Sequence, residues 1–325
     1  MKAIVFDTPG DADVLRYADV PQPQAGDGEL LVKVYAAALN RADLLQRRGG
    51  YNPPPGASSI LGLEVAGEVV QSAGDWQVGD RVMAVITGGG YAEYAVVPVG
   101  MAMAIPDNFD DVQAACIPEA YLTAYLNLFH LGQLKTGDSV LIHAGGSGVG
   151  TAAIQLARES GASAIFTTAS NDEKLNACRE LGATVTINYK TQDFADVVLS
   201  HTDKRGVDIV LDFIGATYWN ANLKALARHG RLMIIGLMGG VKGDLEVGSI
   251  LRKSLTVTGT TLRPMPLPQK TMLTSQFIEF AHERLANGAL LPVLDKTFPL
   301  KDAAEAHRYM ESNANTGKIV LTMAH

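Results

Sequence analysis

Apolar and polar positions change their period about a third of the way along the chain. Up to residue 100 the apolar residues fall in short runs at Lys2–Phe6, Leu30–Ala36, Gly67–Val70, Arg81–Val85 and Tyr91–Val97. Pro21-Gln22-Pro23, Gly26-Asp27-Gly28 and Val78-Gly79-Asp80 separate them, and short runs bounded by turn residues predict strands. One short helix interrupts this β unit, Asn40 to Arg48 with Asn40 as N-cap, followed by a loop, Gly49 to Gly56, stiffened by Pro53, Pro54 and Pro55. From Asp111 to Leu131 the spacing is helical, with Pro118 as a break. Strand and helix then alternate. Strands are predicted at Ser139–His143, Ala164–Thr168, Thr184–Ile187, Val207–Phe213, Arg231–Gly236 and Leu255–Gly259, and helices at Thr151–Ser160, Asp172–Leu181, Phe194–Ser200 and Tyr218–Arg228. That alternation predicts an α/β unit built on an open, doubly wound parallel sheet. Past Pro264-Met265-Pro266-Leu267-Pro268, helices at 271–287 and about 302–312 and a strand Lys318–Thr322 fit a return to the first unit.

The turn between the first strand and first helix of the alternating part reads Gly145-Gly146-Ser147-Gly148-Val149-Gly150. Glycine lets backbone approach a ligand closely, and the helix behind it aims unpaired N–H groups and a positive dipole end at the same place, which suits a pyrophosphate. Gly145 and Gly150 take the outer places of the G-x-G-x-x-G fingerprint, but Ser147 takes the middle one, so the turn alone also fits an ordinary strand-to-helix connection. The predicted strand ends favour the dinucleotide reading: Ala144–Gly146, Ala169–Ser170, Ile214–Gly215 and Gly236-Leu237-Met238-Gly239-Gly240 are all glycine or include small residues. An acid at the end of the second strand would hold a ribose 2′-hydroxyl and repel a 2′-phosphate. None stands there. Ser170, Lys174 and Tyr189 offer a hydroxyl, a charge and a phenol to a phosphate, which favours NADPH. The same stretch also reads as a capping box, with Ser170 as N-cap, Glu173 at the third helical position and Lys174 solvated, and the two readings are compatible.

Composition narrows the class. With 325 residues, 47% apolar and 19% charged, the chain has the profile of a globular protein with room for two domains. No apolar run is long enough to span a membrane, and Asp7 cuts short any leader-like core, so the expected location is cytoplasmic. A formal charge of −7 argues against a nucleic-acid or membrane-surface partner recognised through overall charge. Cys116 and Cys178, the only thiols, make neither a disulfide framework nor a four-sulfur zinc site.

Asn40-Arg41-Ala42-Asp43, Tyr51-Asn52-Pro53-Pro54-Pro55-Gly56, Leu61-Gly62-Leu63-Glu64, Val78-Gly79-Asp80-Arg81-Val82, Ile117-Pro118-Glu119-Ala120, His143–Gly150 and Gly236-Leu237-Met238-Gly239-Gly240 together carry a resemblance over nearly the whole chain. The chain resembles the zinc-independent quinone oxidoreductase branch, the zeta-crystallin-like proteins, of the medium-chain dehydrogenase/reductase superfamily, and within it the tumour-suppressor-inducible quinone oxidoreductases most. The resemblance implies a GroES-like, β-rich catalytic domain over 1–118 and 266–325, and an NADPH-binding Rossmann domain over 119–265. It implies that Asn40 and Asp43 orient the Tyr51 loop or the substrate, and that Thr123 sits by the nicotinamide. The expected cofactor set is Thr123, Gly145, Ser147, Gly148, Val149, Gly150, Ser170, Lys174, Tyr189, Ile214, Gly236, Leu237, Met238 and Thr260.

The zinc alcohol dehydrogenases of this superfamily carry a Cys where this chain resembles them at Asn40, and a Gly-His-Glu motif where it has Gly62-Leu63-Glu64. Both soft ligands are replaced, and no two histidines stand at i, i+3 or i, i+4, so no metal is expected. Glu64 then reads as a fold-holding carboxylate and His143 as packing beneath the glycine turn. Without a Lewis acid the favoured acceptors delocalise the incoming electrons themselves, as quinones and α,β-unsaturated carbonyls do. Tyr51 reads equally as the group that hydrogen-bonds or protonates the acceptor oxygen and as a lid. Three functions follow: an NADPH-dependent quinone reductase, an enal or enone reductase, and a dinucleotide-binding structural or regulatory protein with little turnover. The β-branched stretch Leu255–Thr261, at the end of the parallel sheet, predicts a homodimer through the nucleotide-binding domains, as does the resemblance.

Overall fold

The structure is a computed structural model that describes residues 1–324 and falls into two compact units, Met1–Leu122 together with the chain from Leu262 onward, and Thr123–Thr261. In the first unit β1 (Lys2–Val5) and β2 (Arg16–Asp19) form an antiparallel pair. Its main sheet takes β3 (Glu29–Ala38), β4 (Glu64–Gln71), β5 (Arg81–Val85), β6 (Tyr94–Pro98) and β7 (Ala102–Ala104). The second unit holds β8 (Ser139–Ile142), β9 (Ala164–Ala169), β10 (Val185–Asn188), β11 (Val207–Asp212), β12 (Leu226–Ile234) and β13 (Thr256–Gly259). The chain then returns to the first sheet with β14 (Leu294–Pro299) and β15 (Lys318–Thr322), giving the order β14-β15-β3-β4-β5-β7 with β6 paired to β3.

The second sheet is parallel throughout in the order β10-β9-β8-β11-β12-β13. Counting its strands from β8, this is the 3-2-1-4-5-6 order of the dinucleotide-binding folds. Leu141, Phe166, Ile187, Val210 and Leu232 are buried on these strands and pack with Phe194, Val198 and Leu223 from flanking helices. β8 is buried along its whole length, as a parallel strand covered on both faces must be. In the first sheet Leu30, Val32 and Val34 alternate inward along β3, and Ile319, Val320 and Leu321 of β15 are all inaccessible to solvent.

Three short strands escape the sequence pattern. β2 and β14 are mostly exposed and β7 is only three residues long, so none shows an apolar run. The helix expected at Tyr218–Arg228 ends at Ala225, and Leu226 instead opens β12, pairing with Val207. Tertiary pairing overrides helical spacing there. A groove of about 610 Å³ lined by Leu199, Lys204, Lys224 and Arg252 opens near the amino ends of β11 and β12, the opposite end from the one where a parallel sheet takes its ligand.

Candidate functional site

At the carboxyl end of β8 the glycine turn is shaped by close packing. A Cβ at Gly145 would stand 1.9 Å from Thr167 Oγ1, and one at Gly150 would stand 2.4 Å from the Ala144 carbonyl oxygen. Neither position tolerates a side chain. Ser147 is the N-cap of the helix Gly148–Glu159, and its hydroxyl accepts the Gly150 N–H at 3.0 Å. Serine in the middle place of the fingerprint is therefore explained by capping, while the helix start and its dipole face the turn. His143 lies beneath, fully buried, with Nδ1 3.0 Å from Thr168 Oγ1 and Nε2 2.7 Å from Asn222 Oδ1. Burial pulls its pKa down to about 4, so the ring is a neutral packing element against Phe194 and Tyr218.

At the end of β9 the helix Asp172–Leu181 is capped by Asn171, whose Oδ1 accepts the Lys174 N–H at 2.9 Å. The capping box expected on Ser170 and Glu173 is thus corrected by one residue. Asn171 is preferred because its extended backbone (φ −158°) lets the side chain turn back on the third helical N–H, and Ser170 is not the cap. Lys174 runs its stem past Gly146, where a Cβ would touch it at 3.2 Å, and Tyr189 is exposed after β10. Ser170 and Lys174 flank the carboxyl end of β9, and Tyr189 follows β10 beside it.

The loops after β11 and β12 are tied together. Asp212 Oδ1 accepts N–H groups of Ile214 at 2.7 Å and Gly215 at 3.2 Å, while its carbonyl accepts those of Ile235 and Gly236. Gly236 lies so close to the Phe213 carbonyl that a Cβ there would approach it to 2.9 Å. Leu237 and Met238 are exposed. Thr260 Oγ1 donates to Asn127 Oδ1 at 3.1 Å, and Asn127 Nδ2 donates to the Thr123 carbonyl at 2.9 Å, so one buried asparagine joins two expected cofactor residues. Neither Asp212 nor Asn127 is marked by any sequence motif; only a tertiary contact reveals them.

In the first unit Asn40 and Asp43 belong to one buried polar network. Asp43, inaccessible to solvent, accepts the Asn40 N–H at 2.8 Å, the Gly62 N–H at 3.1 Å and the Tyr91 hydroxyl at 3.2 Å. Gly62 adopts φ +98°, and a Cβ there would strike Tyr91 at 2.6 Å. Burial raises Asp43 to about 6 despite these donors. Asn40 Nδ2 donates to Glu64 Oε1 at 2.8 Å, and Lys318 Nζ, from β15, donates to Glu64 Oε1 at 2.6 Å and to Asn40 Oδ1 and the Leu39 carbonyl at 2.8 Å each. The Glu119 N–H completes the shell on Glu64 Oε2 at 2.8 Å.

A zinc ion does not fit these donors. An ammonium already neutralises Glu64, the neighbours are an amide and a leucine, and among the described residues no three His, Cys, Asp or Glu gather as a metal site.

Desolvation and the neighbouring Glu64 raise the Glu119 carboxyl to about 8, whereas its ordinary value is 4.5. The native state keeps a proton the unfolded chain has lost, so this group's contribution to stability is full below pH 4.5 and disappears as pH rises through 8. Glu119→Gln should therefore flatten the fall in stability between about pH 4.5 and 8, as urea titrations of both proteins would show; parallel profiles would contradict the raised value.

Tyr51 stands outside the Asn40–Asp43 network. Its half-exposed ring lies over the Arg263 guanidinium, 5.4 Å from carbon to ring centroid. Burial and the Glu119 carboxyl push the phenol's pKa up, while Arg263 pulls it down.

Comparison with known proteins agrees with this architecture. Residues 26–107 match the alcohol dehydrogenase GroES-like domain, and residues 148–279 match the family described as zinc-binding dehydrogenase. The quinone oxidoreductase of Sus scrofa is 32% identical over 99% of this chain and 98% of its own length. A mycocerosic acid synthase-like polyketide synthase of Mycobacterium tuberculosis is 34% identical over 98% of this chain, which spans only 15% of that protein. Among solved structures, a mycobacterial protein complexed with NADPH superposes with a TM-score of 0.89 at 32% identity, and the CurK enoyl reductase with 0.88 at 28%, each over 99% of both chains. The chain belongs to the medium-chain dehydrogenase/reductase superfamily, in the family of the quinone oxidoreductases. Its GroES-like and Rossmann architecture is that of a dinucleotide-binding oxidoreductase.

Proposed function

We propose that this protein is a zinc-independent, NADPH-dependent quinone reductase. The observation that carries the reading is the Lys318–Glu64–Asn40 cluster, which puts a fixed ammonium where a metal enzyme of the superfamily needs ligands. A site so built suits acceptors that need no Lewis acid, and full-length similarity to the porcine quinone oxidoreductase supports that acceptor class. NADPH, when bound, supplies the hydride. The chain's own work is to bind and orient: the helix start at Gly148 and the glycine turn for the pyrophosphate, Ser170, Lys174 and Tyr189 for the 2′-phosphate, and the loops tied by Asp212 and Asn127 for the nicotinamide half. Asn40 and Asp43 act as positioning residues for the segment that carries Tyr51. Similarity to enoyl reductase and polyketide synthase chains supports the second reading, reduction of an enone.

The protein is proposed to act in the cytoplasm, its two cysteines both free and buried, and as a homodimer through the edge strand β13. No described helix is long and apolar enough to cross a membrane. Light scattering that finds a monomer at micromolar concentration, or stoichiometric zinc in active protein, would remove the corresponding part of the proposal.

Anaerobic NADPH oxidation against ortho-quinones, para-quinones and enals, with products identified, tests the activity. Turnover of enals alone would favour the second reading, and cofactor binding without turnover of either would leave a binding protein. NADPH should bind at least about tenfold more tightly than NADH, a difference of about 1.4 kcal/mol. Lys174→Ala should weaken NADPH and leave NADH nearly unchanged in isothermal titration, and equal loss for both would deny Lys174 the phosphate.

A further inference from the structure

Arg263 is only 4% exposed, and its guanidinium is held rigidly from two sides. Nε donates to the Thr87 carbonyl at 2.8 Å, and Nη1 donates to Gln46 Oε1 at 2.8 Å; Gln46 is itself pinned by its bond to the Ser59 carbonyl at 3.1 Å. The third nitrogen has no partner. Nη2 is buried without a hydrogen bond, facing Gly88, where an added Cβ would stand 3.5 Å from it. Gly88 has φ +152°, and a side chain there would also collide with the Ser58 carbonyl at 2.6 Å, so the position stays bare. An unpaired buried donor is costly, the more so when charged, so a fold that fixes one in place points to a ligand that satisfies it.

We propose that Arg263 is the anion-binding group of the acceptor site: its free Nη2 edge receives the acceptor oxygen that gains negative charge on reduction, and the Tyr51 ring is the cover that turns aside to admit it. This inference rests on the acceptor class proposed above. The ligand chemistry is a phenolate or enolate oxygen carried on a planar, apolar body. The apolar body suits the face of Tyr51 and the oxygen suits the guanidinium. The acids facing Arg263 are Tyr51, Asp43 and Glu119. Tyr51 is a neutral phenol and Asp43 is engaged by three donors. Glu119, raised to about 8, keeps its proton at neutral pH, which leaves the guanidinium charge available to a ligand. Lys270 Nζ donates to the Arg263 main-chain carbonyl at 3.3 Å, which brings a second cation to the same segment. In a site without a metal, a preorganised cation of this kind supplies the oxyanion stabilisation a Lewis acid would otherwise give.

The probe is 4-nitrophenol, whose colour reports its ionisation, titrated into the NADPH-saturated protein across the pH range where it ionises. Wild-type protein should bind the phenolate at least about tenfold better than the phenol, a lowering of the bound probe's pKa by about one unit or more. Arg263→Gln should abolish that preference with little change in NADPH affinity. Arg263→Lys should keep the preference, because it keeps the charge, yet lower kcat on a poor enone by about a hundredfold, because it lacks the fork. Equal binding of phenol and phenolate by the wild-type protein would overturn the proposal, whatever the variants do. An unaltered preference in Arg263→Gln would overturn it too. A clear phenolate preference in a protein that reduces neither quinone nor enone would keep the anion site and defeat the acceptor reading instead.

Discussion

Replacing Lys318 by methionine is expected to destabilise the protein by about 3–5 kcal/mol, the usual cost of stranding one half of a buried ion pair. Glu64 is inaccessible to solvent, and among the described residues the Lys318 ammonium, 2.6 Å from its Oε1, is the cation paired with it. The same nitrogen binds the Leu39 carbonyl and Asn40 Oδ1, so the last strand of the sheet is fastened to the start of the helix Arg41–Arg47. Glu64→Gln in the Lys318→Met background should recover part of the loss, because it removes the stranded charge while its single amide oxygen can still accept from one of the two donors that Glu64 serves, Asn40 Nδ2 or the Glu119 N–H. Urea denaturation of the two single variants and the double variant gives the coupling directly. A Lys318→Met loss below about 1 kcal/mol would show that water reaches Glu64 and that the pair does not hold this end of the sheet.

That cluster also shows where reading the sequence stops. The absence of a Cys at 40 and of a His at 63 is visible in the sequence, but nothing in the pattern around Lys318, a residue 254 positions from Glu64, says that its ammonium fills the gap. The alternation of strands and helices from Ser139 onward was legible because most of the parallel strands carry a short run of apolar and β-branched residues bounded by turn residues, and the helix Asp172–Leu181 and strand Lys318–Thr322 have the bounds their sequences predict. Cap identity was less so: Ser170 and Asn171 are both good caps, and only the backbone geometry at Asn171 decides between them. Residues that act by joining loops were invisible. Asp212 and Asn127 look like any buried polar side chain until the carbonyls and hydroxyls they bind come into view. Arg263 follows the stretch of β-branched residues and precedes Pro264, with no motif to mark it, and only its unpaired nitrogen beside Gly88 sets it apart.

The two roles proposed for Tyr51, proton donor and lid, separate in one variant series. If its hydroxyl donates to the oxygen that becomes anionic, Tyr51→Phe should lower kcat by about ten- to a hundredfold, about 1.4–2.8 kcal/mol, with NADPH affinity unchanged. The effect should be confined to poor acceptors such as enones, because a reactive quinone yields a stabilised anion that needs little help. If the ring acts only as a cover, phenylalanine should serve as well as tyrosine, and Tyr51→Ala should raise KM for every acceptor. The structure permits both at once, since the ring lies over Arg263 while its phenol pKa is raised by burial and so keeps the proton through neutral pH. Steady-state kinetics of the Phe and Ala variants on one quinone and one enone decide the matter. An unaltered kcat for Tyr51→Phe on both acceptors would leave Tyr51 as a lid, and the charge developing on the acceptor oxygen would then rest on Arg263 alone.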